Sequence, residues 1–376
     1  MSERCFDVVV LGGGPAGLAT AIGIASKELR SVKVLVVEQH NAAMQRVGEN
    51  IPPETLMVLK KLGVGKLFRQ DGHQVCPGFA SVWGKDAIGY NDFIVNPHGN
   101  SWRINRKAFD AMLVERAKAL GVEVMFDTRF VNASWQAGRY DLQLHSKQTG
   151  CDFAVKTTMV VEATGSSASF AKNIGVHKLV DDRLVATVRF ASLEQEHKGK
   201  QVLIEATNDG WCYHSLLPER KVVSMVVSDQ KQSMSLKADG YRQFERYLAD
   251  TQFISKALSK LQLHDTSYHS YPIISGVLSK LAGDNWLAVG DAAASFDPIA
   301  AQGIYKALQQ GLLASDKVCA WLDKQGSDND SIDTIAGDYA TAIKEHYQLY
   351  LDNRAKMYRS ERRFGESEFW QSRLSL

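Results

Sequence analysis

The apolar positions of this chain fall into two textures that trade places along its length. Residues 6–11 (FDVVVL), 32–37 (VKVLVV), 158–165 (TMVVEATG) and 285–291 (NWLAVGD) are short, nearly continuous runs rich in β-branched residues. Such runs predict strands buried on both faces, as in a parallel sheet. Residues 184–190 (LVATVRF), 200–206 (KQVLIEA), 210–217 (GWCYHSLL) and 221–227 (KVVSMVV) instead alternate or carry polar breaks. That texture predicts antiparallel sheet with one exposed face. A hairpin is expected over 138–161 and a strand over 122–126.

Helices are predicted after the first strand to about Glu28, and over 53–62, 105–120, 238–260 and about 302–322. Asn105 is a credible N-cap and Gly121 a credible terminating glycine. After a polar stretch at 324–331, Ile335, Tyr339, Ile343, Tyr347 and Leu351 recur every four residues, an apolar stripe on one helix. The buried-strand texture thus occupies three separated blocks with antiparallel sheet between them. The expected fold class is α/β: a discontinuous Rossmann-type nucleotide domain (1–75, 100–180 and 275–325), an inserted substrate domain with antiparallel sheet (76–99 and 181–274), and a helical C-terminus (326–376).

Composition narrows the function classes. The 376 residues carry 44 basic and 42 acidic side chains, a net charge of +2, so no nucleic acid or anionic membrane is expected as partner. The five cysteines are scattered with no CxxC, which argues against a metal cluster and for reduced thiols in a cytoplasmic protein. Residues 5–25 are mostly apolar, but Asp7, three successive glycines and Pro15 break the run, so no membrane span is expected.

Two fingerprints carry the chemistry. Gly12-Gly13-Gly14-Pro15-Ala16-Gly17 follows a buried strand and opens a helix. Gly12 permits the tight turn, Gly14 admits a pyrophosphate to the backbone, and Gly17 lets helix and strand pack closely. The helix N-terminus, with Pro15 and Ala16 in its first turn, favours the anion. Glu38, about twenty residues on, can accept hydrogen bonds from an adenosine ribose and would repel a 2′-phosphate. This motif leaves NAD and FAD both open.

The second fingerprint spans 285–308 (NWLAVGDAAASFDPIAAQGIYKAL). It resembles the second flavin motif of the FAD-dependent monooxygenase and halogenase superfamily, of the p-hydroxybenzoate hydroxylase type (GR2-like). The resemblance implies FAD as cofactor, Gly290-Asp291 on the ribityl chain, and Pro298, Gly303 and Ile304 beside the isoalloxazine ring. Ala301 stands where many hydroxylases carry glycine. Arg106 resembles the arginine that contacts the FAD phosphates. Ala163 and Gly165, in EATG, resemble the strand end that approaches the nucleotide. Arg46-Val47-Gly48-Glu49-Asn50-Ile51-Pro52 resembles the GESxLP stretch of halogenase-like members, with Asn50 in place of Ser. Phe369-Trp370 with Arg373 resembles their C-terminus, or forms a core aromatic pair.

Halogenases aim hypohalous acid with a lysine about 28 residues past that glutamate; counting lands on Cys76, and no lysine lies between Lys66 and Lys85. Their WxWxIP signature is replaced by Trp211-Cys212-Tyr213-His214-Ser215-Leu216-Leu217-Pro218. Both departures favour oxygen insertion, with the cofactor carrying the hard chemistry. Glu49, Cys76 and His214 are the catalytic candidates, and His73, Trp211 and Tyr213 are further residues of interest on the substrate side. An Asp-Gly pair found in hydroxylases that bind pyridine nucleotide directly is missing, which points to a separate flavin reductase or external reductant.

Within the superfamily the chain most resembles maturation flavoproteins of the LodB and GoxB type, which modify a tryptophan of a partner amino-acid oxidase during cysteine tryptophylquinone biogenesis. The resemblance implies a protein substrate, the precursor of a quinone-cofactor oxidase. The alternatives are a small-molecule aromatic hydroxylase, an isoprenoid-type flavin reductase, and a flavin-containing maturation partner without turnover.

Overall fold

The computed structural model describes residues 4–27, 32–41, 47–197, 199, 202–324 and 329–374. Its centre is a parallel sheet. Strand Arg4–Leu11 pairs with Val34–Val37 on one side and Asp152–Glu162 on the other, and Glu123–Met125 and Trp286–Ala288 extend the ladder outward. Val8, Val9 and Val10 are fully buried, as a strand covered on both faces requires. The N-terminal half of Asp152–Glu162 also takes an antiparallel hairpin, Thr128–Gln136 and Arg139–Ser146.

Two helices cross against this sheet at close range. Pro15–Ala25 and Gly303–Asp323 meet at Gly311, where a Cβ would stand 2.6 Å from the Ala16 carbonyl oxygen. Helix Arg106–Ala119 is opened by Asn105, whose side chain accepts from the Ala108 N–H at 3.1 Å.

A second, largely antiparallel sheet is built mainly from Lys178–Leu193, Val202–Thr207, Gly210–Leu217, Lys221–Ser228 and Leu263–Leu278, with Gly78–Val82 and Gly89–Asp92 at one edge. Two expectations change here. Gly210–Leu217 is buried on both faces rather than one. Helices Gln230–Leu236, Ala238–Ala249 and Ile254–Leu258 cover the Cys212 and Val226 side. Tyr358, Phe369 and Trp370 cover the Trp211 and Tyr213 side.

The expected single helix over 238–260 is divided. Asp239, Gly240 and Tyr241 adopt left-handed backbone, and a new helix begins at Ile254. The buried Glu205 carboxylate starts that helix by accepting from the Phe253 and Ile254 N–H groups at 3.0 and 3.1 Å.

The stripe on helix Asn329–Ser360 is real: Tyr339, Ile343 and Tyr347 are buried in the main core. Phe369-Trp370 is a core pair, with the Trp370 indole donating to the Thr207 carbonyl at 2.9 Å. Among the described residues, no helix is long and apolar enough to cross a membrane.

The helix crossing yields a contrast between two glycines. Gly311→Val should lower stability by roughly 2 kcal/mol, because its Cβ meets backbone. Gly337→Ala, with open space around its Cβ position on an exposed helix face, should raise it by about 0.5–1 kcal/mol. Urea unfolding of the two variants measures both; equal effects would contradict the described crossing.

Candidate functional site

The turn after the first strand can be built only with glycine. Gly12 has φ +119°, and a Cβ there would lie 2.0 Å from the Ala163 carbonyl oxygen. A Cβ on Gly17 would lie 2.0 Å from the Gly12 carbonyl oxygen. The backbone of two strand ends and a helix start is therefore in direct contact. Gly14 is the N-cap of helix Pro15–Ala25, and no side chain caps it. Unfilled N–H groups at that end attract an anion. Glu38 is buried, and its carboxylate accepts from Gly13 N–H and His40 N–H, each at 2.9 Å. It holds the glycine turn as well as ending the second strand.

The second fingerprint is folded onto the first. A Cβ on Gly290 would stand 2.6 Å from the Ala16 Cβ, and Gly290 N–H donates to Gln310 Oε1 at 2.9 Å. Asp291 is exposed to solvent yet ringed by enough protein that desolvation raises its carboxyl. That combination describes the floor of a cleft. Among the described residues its carboxylate takes no hydrogen bond, while Lys178 and Lys306 stand near it. Burial lowers both lysines to about 8. Lys178 donates to the Asp291 carbonyl at 2.7 Å and Ser295 Oγ at 3.0 Å. The Lys306 ammonium lies 4.2 Å from the Phe296 ring centre.

The turn at Pro298 is pinned by its neighbour. Asp297 Oδ1 accepts from Ile299 N–H at 3.0 Å, and Oδ2 from the Tyr358 hydroxyl at 2.6 Å. Asp297 N–H donates to the Tyr350 hydroxyl at 2.7 Å. Ala301 sits at φ +50°, in the left-handed region that favours glycine. Pro298 and Gly303 are exposed, and Ile304 is buried at the start of the following helix.

The substrate-side candidates separate. Glu49 and Asn50 are buried, and the Asn50 amide donates to the Tyr213 hydroxyl. Glu49 Oε1 and Asn50 Oδ1 have no hydrogen-bond partner. Burial pushes the Glu49 carboxyl up to about 7, against the pull of Arg106 and the Gly48 and Glu49 N–H groups. Tyr213 and Tyr271 face Glu49 electrostatically, and burial raises both phenols. Cys76 is fully buried in the same apolar cluster as Tyr213 and Ile299.

His214 lies elsewhere. It alternates onto the Cys212 side of the strand, meets Ser224 Oγ at 3.1 Å, and is lowered to about 3 by burial and Arg189. It stays neutral and away from Glu49. His73 accepts from Asn105 N–H at 3.2 Å and packs on Phe68. The Trp211 indole donates to the Tyr358 hydroxyl at 3.3 Å.

Arg106 is engaged locally: its guanidinium donates to the carbonyls of Val47 and Gly48 and pairs with Asp110 at 3.1 Å. Its Nε has no partner. Ala163 N–H joins Leu11 O at 2.8 Å, and Gly165 follows at φ +69°. The buried Glu162 fixes that loop by accepting from the Thr164, Phe170 and Ala171 N–H groups at 2.7, 2.7 and 3.1 Å. Arg46 lies outside the described residues. The sequence reading did not pick out Lys178, Lys306, Gln310 or Glu162. Glu162 and Lys306 lay inside named motifs, at the start of EATG and two positions after Ile304.

Comparison with known proteins adds a family and several relatives. The FAD binding domain family matches residues 5–340. The putative FAD-dependent oxidoreductase LodB of Marinomonas mediterranea is 23% identical over 380 residues, covering 98% of this chain and 96% of LodB. The flavin-dependent halogenase CmlS superposes with a TM-score of 0.86 at 23% identity, over 99% of this chain and 68% of CmlS. QhpG, a peptidyl tryptophan dihydroxylase essential for tryptophylquinone cofactor biogenesis, superposes with a TM-score of 0.75 at 21% identity, over 99% of this chain and 79% of QhpG.

The residues present fit FAD. The Gly12 turn packs backbone against the strand end at Ala163, the helix that follows it is uncapped, and Asp291 offers a carboxylate without a hydrogen bond among the described residues. FAD is therefore the cofactor, and the cleft between the two fingerprints is where its phosphates and ribityl chain can be held.

Glu49 provides a stability test. Its folded-state pKa lies above the ordinary glutamate value, so its burial is harmless while it is protonated, and stability is lost as pH rises through about 7. Glu49→Gln should match the parent near pH 4 and exceed it by roughly 3 kcal/mol at pH 8. Denaturant unfolding at the two pH values measures this; an equal difference at both would show that Glu49 does not carry the raised pKa.

Proposed function

The chain belongs to the FAD binding domain family and is an FAD-dependent oxidoreductase; from that premise we propose that it is a monooxygenase that hydroxylates a tryptophan side chain in the precursor of a partner oxidase during tryptophylquinone cofactor biogenesis. The observation that carries this reading is the fold shared with a peptidyl tryptophan dihydroxylase essential for tryptophylquinone cofactor biogenesis. The match to LodB, a putative FAD-dependent oxidoreductase, over nearly the whole of both chains supports its flavoenzyme part.

When bound and reduced, FAD supplies the activation of dioxygen for transfer of one oxygen atom to an aromatic ring. The chain does the rest. Gly12, Gly14, Pro15, Ala16 and Gly17 would receive the pyrophosphate, with Arg106 and Arg46 as further phosphate contacts. Glu38 would receive the adenosine ribose, Ala163 and Gly165 would approach the nucleotide, and Gly290 with Asp291 would take the ribityl chain. Pro298, Gly303 and Ile304 would line the ring. The Asp297 lock keeps that turn in one position. The apolar cluster of Cys76, Tyr213 and Ile299 excludes water on the facing side. Electrons would come from a separate flavin reductase or an external reductant.

We assign 1–75, 100–180 and 275–325 to the cofactor domain, 76–99 and 181–274 to the substrate domain, and 326–376 to a helical tail. A halogenase reading is favoured by the CmlS superposition. The two buried lysines with lowered pKa, however, stand at Asp291, not with Glu49 and Tyr213.

The test is the mass of a precursor oxidase after incubation with the reduced holoprotein, oxygen and bromide. Addition of about 16 Da, or a multiple, at a tryptophan is expected. A brominated tryptophan would establish the halogenase reading instead. An unchanged precursor that still co-purifies would leave a maturation partner without turnover.

A further inference from the structure

Glu49 Oε1 and Asn50 Oδ1 are two adjacent buried oxygens without a hydrogen-bond partner among the described residues. Leaving a buried acceptor without a donor is costly. The backbone that carries them is held on both sides. Asn50 is paired with Arg103 across a short antiparallel ladder, and Ile104 N–H donates to the Glu49 carbonyl at 2.7 Å. Arg106 holds the carbonyls of Val47 and Gly48 just before them. The Asn50 amide and the Tyr213 hydroxyl are hydrogen-bonded to each other.

The surroundings are flat and apolar. Val47, Cys76, Tyr213, Tyr271 and Ile299 form one cluster, and a Cβ on Gly48 would stand 3.3 Å from Ile304 Cδ1. The acceptors thus lie between the second sheet and the Pro298–Ile304 segment proposed to line the flavin ring. A site with two fixed acceptors in an aromatic wall selects an aromatic molecule carrying an N–H donor.

We propose that Glu49 and Asn50 receive the N–H of an indole ring and so orient the substrate tryptophan, with Glu49 the principal acceptor. This rests on the monooxygenase reading above and adds the substrate contact. Glu49 is a positioning residue here: a carboxylate on the indole nitrogen fixes which ring edge faces the oxygen donor and enriches the ring in electron density. Arg106, Tyr213 and Tyr271 are the titratable groups that face Glu49, and Arg103 and Cys76 face Tyr213 from behind. Both phenols are held above their ordinary range and stay protonated between pH 6 and 8.

The experiment is calorimetric binding of 3-methylindole and 1,3-dimethylindole to the oxidised holoprotein, which needs no turnover. The N–H compound should bind about tenfold tighter at pH 8. Its affinity should rise from pH 6 to 8 as Glu49 ionises. Glu49→Gln should lose about tenfold for 3-methylindole, leave 1,3-dimethylindole unchanged, and abolish the pH dependence. Equal affinity of the parent protein for the two indoles, or no binding of 3-methylindole, would overturn the proposal without recourse to a variant. If the precursor gains oxygen while the indoles bind equally, the monooxygenase reading stands and this assignment falls. If the N–H preference holds and the precursor mass is unchanged, the assignment stands and the oxygenation reading falls.

Discussion

The whole arrangement depends on backbone meeting backbone at Gly12. Its contact with Ala163 brings the ends of two parallel strands together, and Gly17 seats the first helix on the same turn. Gly311, against the Ala16 carbonyl, and Gly23, against the Ser315 side chain, then let helix Gly303–Asp323 cross that first helix closely. Because of those crossings, Gly290 reaches Ala16, and segments about 270 residues apart in sequence form one cleft. A single methyl group at any of these contacts would push the two halves of the cofactor site apart.

The cleft is held open on its other side by polar groups buried in the helical tail. Tyr350 and Tyr358 fix Asp297, and Arg354 and Arg373 converge on Asp182 at the long strand of the second sheet. The carboxylates of Asp182, Asp297, Glu162 and Glu205 all have hydrogen-bond partners, whereas among the described residues the buried Glu49 Oε1 has none, one of several buried polar atoms left so.

Much of this was legible in the residues. Buried β-branched runs located the parallel strands, Asn105 its helix start, and the two glycine fingerprints the cofactor cleft. The stripe from Ile335 to Leu351 gave the long helix. What was not legible depended on tertiary partners. The residues 238–260 carry a helical pattern, but the carboxylate that starts a new helix at Ile254 belongs to Glu205, far away in sequence. Gly210–Leu217 alternates as if one face were wet, yet later helices cover it. Local pattern likewise put His214 ahead of Tyr213 as a candidate. Strand alternation puts them on opposite faces, and only Tyr213 meets the loop at Glu49.

The central claim is that oxygen from dioxygen enters a tryptophan of a protein substrate. The measurement that tests it most directly is peptide mapping of a precursor oxidase treated with the reduced holoprotein under ¹⁸O₂. The account predicts that the heavy isotope appears on one tryptophan residue and nowhere else. Oxygen acquired from water, or a tryptophan left unlabelled while reduced FAD is consumed, would contradict it.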